Sequence, residues 1–197
     1  QEMIDTYEPQ DERLEASISI IEGTGPVGQM VIESVNSPVD YITPPGKRSY
    51  RFIKKYLHQH SLINNTEDNF PVYRFSEALL AMAETLNELD RASEALPFLN
   101  RVRNRAGLPN ITETNKGALG EIILHERRVE LAFENKRWHD LVRTGKAIEV
   151  MNQNGVYLKA LYPNLPENSY TINQDRLLFP IPLREIQIGN LEQNNGY

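Results

Sequence analysis

The chain has 197 residues, 40% of them hydrophobic, which is enough for one domain with its own core. Its net charge is −6 and its basic residues are interspersed with acids, so the composition argues against a nucleic-acid-binding surface. It has no cysteine, which excludes disulfides and thiolate metal sites, and no apolar run approaches the roughly 18 residues of a membrane-spanning helix.

The first 70 residues are rich in Pro, Gly, Asn and Ser and contain two predicted strands, residues 15–21 and 29–35. The turn between them, GTGPVG, matches the G-x-G-x-x-G pattern of dinucleotide-binding loops. Such a loop must open a helix, but Pro26 lies inside it and a β-branched run follows. We therefore interpret the segment as the turn of a β-hairpin.

Residues 71–154 have the apolar spacing of helices and form the predicted helical core. A first helix is predicted over 72–89, and Asp90 is predicted to cap a second one that runs to about Ala106, with Gly107 as its stop. Two helices joined so closely predict an antiparallel αα-hairpin, which is the unit of helical repeat proteins.

A third helix is predicted over 118–135. The segment RWHDLVR, residues 137–143, either continues it or begins a fourth helix, and a short helix is predicted over 146–152. The remaining residues, 155–197, are predicted to form an extended C-terminal tail with one short helical turn near its end, because Pro180 and Pro182 bracket Ile181.

The stretch HERRVELAFENKRWHDLVR, residues 125–143, is dense in acids, arginines and histidines. A zinc helix of the H-E-x-x-H type would need histidine at the position of Val129, and the Glu-x-x-His spacing of a di-iron helix is absent, so no metal site is predicted. Glu126 and Glu130 share a helix face, and paired carboxylates can hydrolyse glycosides. However, neighbouring arginines would keep both acids ionised, which is unsuitable for a general acid.

A structural ion network explains these charges better than a metal site or a catalytic pair of carboxylates does. Arg103 lies on the apolar stripe of the second helix and needs a carboxylate partner, for which Glu126 and Glu130 are candidates. Further along the chain, acids and arginines three residues apart permit ion pairs on one helix. The predicted network, with no catalytic residue, comprises Arg103, Glu126, Glu130, Glu134, Arg137, Asp140 and Arg143.

Ligand contacts are predicted in the loop DYITPPGKRSYRF, residues 40–52, which is too rich in Pro and Gly for regular structure. Loops on a rigid scaffold commonly carry binding residues, although tyrosines can also pack the base of a loop. The predicted contacts are Tyr41, Lys47, Arg48 and Tyr50. A second polar loop, residues 58–69, contains His58 and His60, which are too few to define a metal site.

Five segments of the chain occur in an order that is highly specific. They are DERLEASI (11–18), YRFSEALLAMAETLNEL (73–89), ALPFLNRVRNRAGLP (95–109), ILHERRVELAFENKRWHDLVRTG (123–145) and LLFPIPLREIQIGNLEQNNGY (177–197). Together they resemble the SusD/RagB family of outer-membrane nutrient-binding lipoproteins. Two departures are Asn135–Lys136, where the family usually has Gly followed by His or Lys, and Thr144, where an aromatic residue is common.

The resemblance implies a mainly α fold in which tetratricopeptide-like helical hairpins pack with a loop-rich, partly β irregular region. The chain would be the C-terminal portion of such a protein, divided into a loop-rich segment (1–70), a helical core (71–154) and a tail (155–197). The family's signal peptide, lipid-bearing cysteine and N-terminal repeats would lie upstream.

The resemblance also implies a function without catalysis or a cofactor. The protein would sit on the extracellular face of the outer membrane, bind oligosaccharides and pass them to a SusC-like TonB-dependent transporter. The alternatives are a peptide-binding protein, a helical adaptor that binds only protein, and a glycoside hydrolase that uses Glu126 and Glu130.

Overall fold

The computed structural model describes residues 2–58, 61, 69 and 71–197. His60 and most of the polar loop 58–69 therefore lie outside the described residues. The chain divides into two compact units, Gln1–Asn135 and Lys136–Tyr197. The boundary between them lies inside the segment 71–154 that the sequence pattern assigns to one helical core.

The first unit combines short helices, a small sheet and three longer helices. Its elements are α1 (Glu2–Asp5), α2 (Arg13–Ser17), β1 (Ile18–Thr24), β2 (Val31–Asn36), β3 (Arg48–Ile53), α3 (Phe75–Glu88), α4 (Ala92–Arg105) and α5 (Lys116–Glu130). The second unit contains α6 (Arg137–Arg143), α7 (Ala147–Leu161), a 3₁₀-helix (Gln174–Leu177) and α8 (Leu183–Gly189). No helix among the described residues combines the length and the apolar character needed to cross a membrane.

The three strands form an antiparallel sheet in the order β2-β1-β3. The predicted hairpin is confirmed, and Gly23 is required in β1 because a Cβ there would overlap the carbonyl oxygen of Val31. The first predicted strand began too early, since residues 15–17 belong to α2. The expectation that residues 40–52 lack regular structure was wrong for β3, whose sequence RSYRFI contains neither Pro nor Gly and pairs with β1.

Helices α3, α4 and α5 enclose the main core of the first unit. Its buried side chains are Leu79, Leu80, Ala83, Leu86, Ala95, Leu99, Val102, Leu119 and Ile123. The αα-hairpin is formed by α3 and α4, which pack against each other. Asp90 is not the N-cap of α4, because it adopts a left-handed conformation (φ 60°) in the link and Arg91 occupies the cap position. Gly107, with φ 77°, follows the end of α4 as predicted.

Helix α5 ends at Glu130, five residues earlier than predicted. Phe133 (φ 66°) and Asn135 (φ 58°) are left-handed, so RWHDLVR begins the separate helix α6. The next helix, α7, continues to Leu161 rather than to residue 152. The predicted fold class is confirmed: the chain is mostly helical and carries one small sheet.

Candidate functional site

Glu126 and Glu130 lie on α5 and Glu134 follows its end, and cations from four other parts of the first unit hold these three acids. Glu126 has a fully buried side chain. Its Oε1 accepts a hydrogen bond from Arg13 (2.5 Å), and its Oε2 accepts one from Arg103 (2.9 Å). The Arg103 guanidinium also donates to Glu8 (2.6 Å) and to the carbonyl oxygen of Pro109 (3.0 Å). Both oxygens of Glu126 are therefore occupied.

Glu130 lies one turn further along α5 and contacts three arginines. Its Oε1 accepts from Arg74 (2.5 Å) and Arg105 (2.7 Å), and its Oε2 accepts from Arg13 (3.1 Å). Burial alone would raise the pKa of Glu130, but the hydrogen bond and charge of Arg74 outweigh it and lower the pKa to about 2. This carboxyl group is ionised at neutral pH.

Glu134 follows the end of α5 and extends the same pattern. It accepts hydrogen bonds from Arg74 Nε (2.8 Å) and pairs with Lys55 (2.5 Å). Burial opposes ionisation, yet the hydrogen bonds from Arg74 and Lys55 lower the pKa of Glu134. A general acid must carry a proton at working pH, so neither Glu130 nor Glu134 is suited to that role.

The remaining members of the predicted network lie in the second unit. Asp140 and Arg143 form an ion pair within α6 (2.7 Å), and Arg137 is half-buried at the first position of that helix. In the part of the chain that the structure describes, no group of three or more histidine or acidic side chains is placed to bind a metal ion.

Sequence reasoning missed most of the cations. Arg13, Lys55, Arg74 and Arg105 all contact the α5 acids, but they are 25 to 117 residues away from those acids in the chain. A partial signal was present for Arg13, which lies in the segment DERLEASI. The carboxylate of Asp11 in that segment accepts hydrogen bonds from the Nε (2.8 Å) and Nη2 (2.7 Å) atoms of Arg13.

The sheet separates the four predicted ligand contacts. Directly opposed residues of antiparallel strands have their side chains on the same face. Tyr41 donates to Glu22 (2.6 Å), which is opposite Ser49, so Tyr41 covers that face. Tyr50, opposite Ile21, lies on the other face.

Arg48 and Lys47 also form polar contacts within the protein, although Arg48 remains exposed. Arg48 is opposite Gly23 and shares the face of Tyr50, and its Nε donates to the carbonyl oxygen of Gly25 (2.8 Å). Lys47 forms an ion pair with Glu33, and this contact raises the pKa of Lys47. The four residues therefore do not form one cluster.

A cleft of about 740 Å³ opens on the face of the sheet that Tyr41 covers. Its walls include Tyr7, Glu8, Asp40, Tyr41 and Arg51, which combine two aromatic rings with charged groups. Volumes of this size are typical of pockets for small ligands. Arg51 is opposite Ile20 on the same face and was not among the predicted contacts.

Comparison with known proteins identifies the family of the chain. SusD-like proteins P38 and P2 of Formosa agariphila are 36% and 38% identical to it over 156 and 160 residues. Each match covers 74% of this chain but only 28% and 30% of those proteins, so the chain spans less than a third of their length.

Solved structures agree with this result. Surface glycan-binding protein A from Bacteroides thetaiotaomicron is 25% identical, with a TM-score of 0.66 over 99% of this chain and 40% of that one. A SusD superfamily protein from Parabacteroides distasonis is also 25% identical, with a TM-score of 0.65 over 100% of this chain and 41% of that one. The sequence model described as the SusD family matches residues 1–197, and the chain therefore belongs to the SusD family.

Proposed function

We propose that this chain is part of a cell-surface protein that binds oligosaccharides and delivers them to a SusC-like TonB-dependent transporter in the outer membrane. The observation that carries the proposal is the match of the whole chain to the SusD family, together with the structural similarity to a surface glycan-binding protein. In this proposal the chain is the C-terminal portion of a longer protein that is lipid-anchored on the extracellular face through a segment upstream.

The proposed function is non-catalytic. The α5 carboxylates could be considered for glycoside hydrolysis, but arginine or lysine donors contact Glu126, Glu130 and Glu134. The lowered pKa values of Glu130 and Glu134 keep these two carboxylates ionised, and arginine donors occupy both oxygens of Glu126. None of the three is therefore free to protonate a leaving group. Their role in the proposal is to hold α5 against the segments that carry the cations.

We infer that the cleft beside Tyr41 is the glycan site within this chain. Its half-buried tyrosine ring offers an apolar face for a sugar ring, and Arg51 and Asp40 offer hydrogen bonds to hydroxyl groups. Lys47 pairs with Glu33 near this face and is a secondary contact in the proposal. Tyr50 and Arg48, on the opposite face, would contact a glycan only if it extended around the sheet.

The test is a glycan-array screen of the full-length protein, followed by titration of Tyr41→Ala and Tyr50→Ala with the best glycan. We expect Tyr41→Ala to weaken binding about ten-fold or more, because it removes the ring that packs against the sugar. A contact worth roughly 1.4 kcal/mol corresponds to a ten-fold change in the dissociation constant. Tyr50→Ala is the matched control on the opposite face and should bind normally.

Two results would contradict the proposal in different ways. If Tyr50→Ala weakens binding and Tyr41→Ala does not, the glycan lies on the other face of the sheet. If no glycan binds to the full-length protein and a peptide library does, the ligand class is wrong.

A further inference from the structure

A second cavity, of about 400 Å³, lies between α3 and α4 on the first unit. Leu79 and Val102 are buried and form its apolar floor. Arg74, Phe75, Arg101 and Arg105 form its rim, and the ring of Phe75 is 64% exposed. We call this cavity the α3–α4 groove.

The lining of the α3–α4 groove contains three arginines and no carboxylate. Two of these arginines are already paired, since Arg74 and Arg105 both contact Glu130. Arg101 differs from them, because among the described residues no carboxylate lies within ion-pair distance of it. Its guanidinium instead lies over the ring of Phe75, 4.9 Å from the ring centroid.

The neighbouring ion network does not supply a spare negative charge for Arg101. Within the described ranges, five carboxylates of that network contact five cations. The carboxylates are Glu8, Asp11, Glu126, Glu130 and Glu134, and the cations are Arg13, Lys55, Arg74, Arg103 and Arg105. None of these carboxylates pairs with Arg101, and the arginine is exposed, so its positive charge remains available to an anion that enters the groove.

We propose that the α3–α4 groove binds an acidic sugar of the glycan, with the carboxylate of a uronate residue held by Arg101. The inference rests on the proposed function, since it takes the ligand to be a glycan. The planar guanidinium matches a carboxylate with two parallel hydrogen bonds. Arg105 lies one turn further along α4 on the same helix face, but its charge is already paired with Glu130, so Arg101 is the cation assigned to the ligand.

The exposed ring of Phe75 favours a sugar over a simple anion. An aromatic face packs against the C–H groups of a pyranose ring, and because the Arg101 guanidinium lies over one face of Phe75, a sugar would pack against the rest of that ring with the charge close by. The volume of the groove is at the lower end of the range for ligand pockets, which suits one or two sugar rings rather than a long chain.

The experiment compares short oligomers of galacturonic, mannuronic and glucuronic acid with their methyl esters, by calorimetric titration of the full-length protein. Each ester keeps the ring stereochemistry and replaces the charged carboxylate with a neutral methyl ester. We expect at least one acid oligomer to bind about ten-fold or more tightly than its ester, because hydrogen bonds to charged groups are the strong ones. The difference should shrink at high salt.

Arg101→Gln should abolish the preference for the acid and leave the melting temperature unchanged, because Arg101 is exposed and outside the ion network. Arg101→Lys keeps the charge but loses the two parallel N–H donors of the guanidinium, so it should retain only part of the preference for the acid. The matched control is Arg91→Gln, an exposed arginine near the start of α4 that pairs with Glu94, and it should retain the full preference.

The outcomes separate this inference from the proposed function. If neutral glycans bind but acids and esters bind equally, or if Arg101→Gln has no effect on an acid preference, the groove assignment is overturned and the proposed function stands. If hexaglutamate binds through Arg101 as tightly as any uronate oligomer, the sugar assignment is overturned. If no glycan of any charge binds, both proposals fail.

Discussion

Glu126 has no exposed side-chain surface, and a different arginine holds each of its carboxylate oxygens. Arg13 reaches it from α2 and Arg103 from α4, so one acid joins three helices. Removing this buried charge would leave Arg13 with Asp11 and Glu130, and Arg103 with only the partly exposed Glu8, so both arginines would lose a buried partner. The role of Glu126 can therefore be tested by a substitution that conserves shape.

We expect Glu126→Gln to lower the free energy of unfolding by about 3–5 kcal/mol, because Arg13 and Arg103 would lose their shared buried carboxylate. Thermal and denaturant unfolding would measure the change. Glu94→Gln, which breaks an exposed pair with Arg91, is the control and should leave the melting temperature unaltered. An unchanged melting temperature for Glu126→Gln would show that this pair does not stabilise the fold.

The lowered pKa of Glu130 makes the stability of the fold depend on pH. The pKa of Glu130 is lowered from 4.5 to about 2 in the folded protein, so the ionised form is favoured by folding. A lowered folded-state pKa contributes stability that is fully present above pH 4.5 and is lost as the pH falls towards 2. The shift corresponds to a contribution on the order of 3 kcal/mol.

Unfolding measured between pH 7 and pH 2 should therefore show a decline in stability below pH 4.5. Glu130→Gln should be less stable at pH 7 and should show a shallower decline, because the titrating group is gone. If the variant has the same acid dependence as the original protein, the effect comes from other carboxyl groups, such as Glu134, whose pKa is also lowered by Arg74 and Lys55 despite its burial.

At the scale of elements, the end of α5 shows what a periodic pattern cannot predict. The apolar spacing continues through Phe133, and no Gly or Pro interrupts it, so the helix was predicted to reach Asn135. In the structure, Lys55 donates to the carbonyl oxygens of Glu130 (2.9 Å) and Ala132 (3.1 Å), and Arg74 donates to that of Glu130 (2.5 Å). Distant cations satisfy carbonyl groups that a helix terminus leaves open.

The helix ends that glycine marks were easier to predict. Gly107 and Gly145 adopt φ values of 77° and 72° just after α4 and α6 end, and the stop at Gly107 was predicted from the sequence. The contact between Arg103 and Glu126 also follows from local reasoning, because each lies on the buried stripe of its own helix. The partners Arg13, Lys55 and Arg74 could not be found in this way, since they depend on how the elements pack.

The placement of the four predicted ligand contacts on the sheet could not be read from the sequence, for a related reason. The loop containing Tyr41 and Tyr50 was considered as one segment, but the second half of it is β3. Side chains alternate between the two faces of a strand, so its register decides which of them meet. In the sheet, Tyr50 is opposite Ile21 and Arg51 is opposite Ile20. Arg51 rather than Tyr50 therefore lies on the face of the cleft.

Helix α7, in the second unit, contains a closely packed glycine. Gly155 is buried in this helix, and a Cβ at that position would overlap the carbonyl oxygen of Tyr170. We expect Gly155→Ala to destabilise the protein by about 1–3 kcal/mol despite the better helix propensity of alanine, because the backbone must shift to make room. Thermal unfolding would measure the loss.

Gly117→Ala is the matched control, since this glycine is also helical but has ordinary contact distance to its nearest neighbour, Asn115. It should be neutral or slightly stabilising. If the two alanine variants have the same melting temperature, α7 does not require the close approach of Tyr170.

At the scale of the whole molecule, the fold class was predictable because it depends on features that are repeated along the chain. The apolar stripes of α3, α4 and α5 each recur over several turns, and together they define the main core. The network of charges depends instead on single residues in separate segments. The same contrast explains why the family could be identified from five ordered segments while the cations around α5 could not be assigned.

The contacts between Arg13 and α5 also have a consequence for how the protein folds. Arg13 is 113 residues ahead of Glu126 and 117 ahead of Glu130. Contacts between residues so far apart in the chain require a long loop to close before they form, and this slows folding. The first unit should therefore acquire its full stability late in refolding, once α2 has docked against α5.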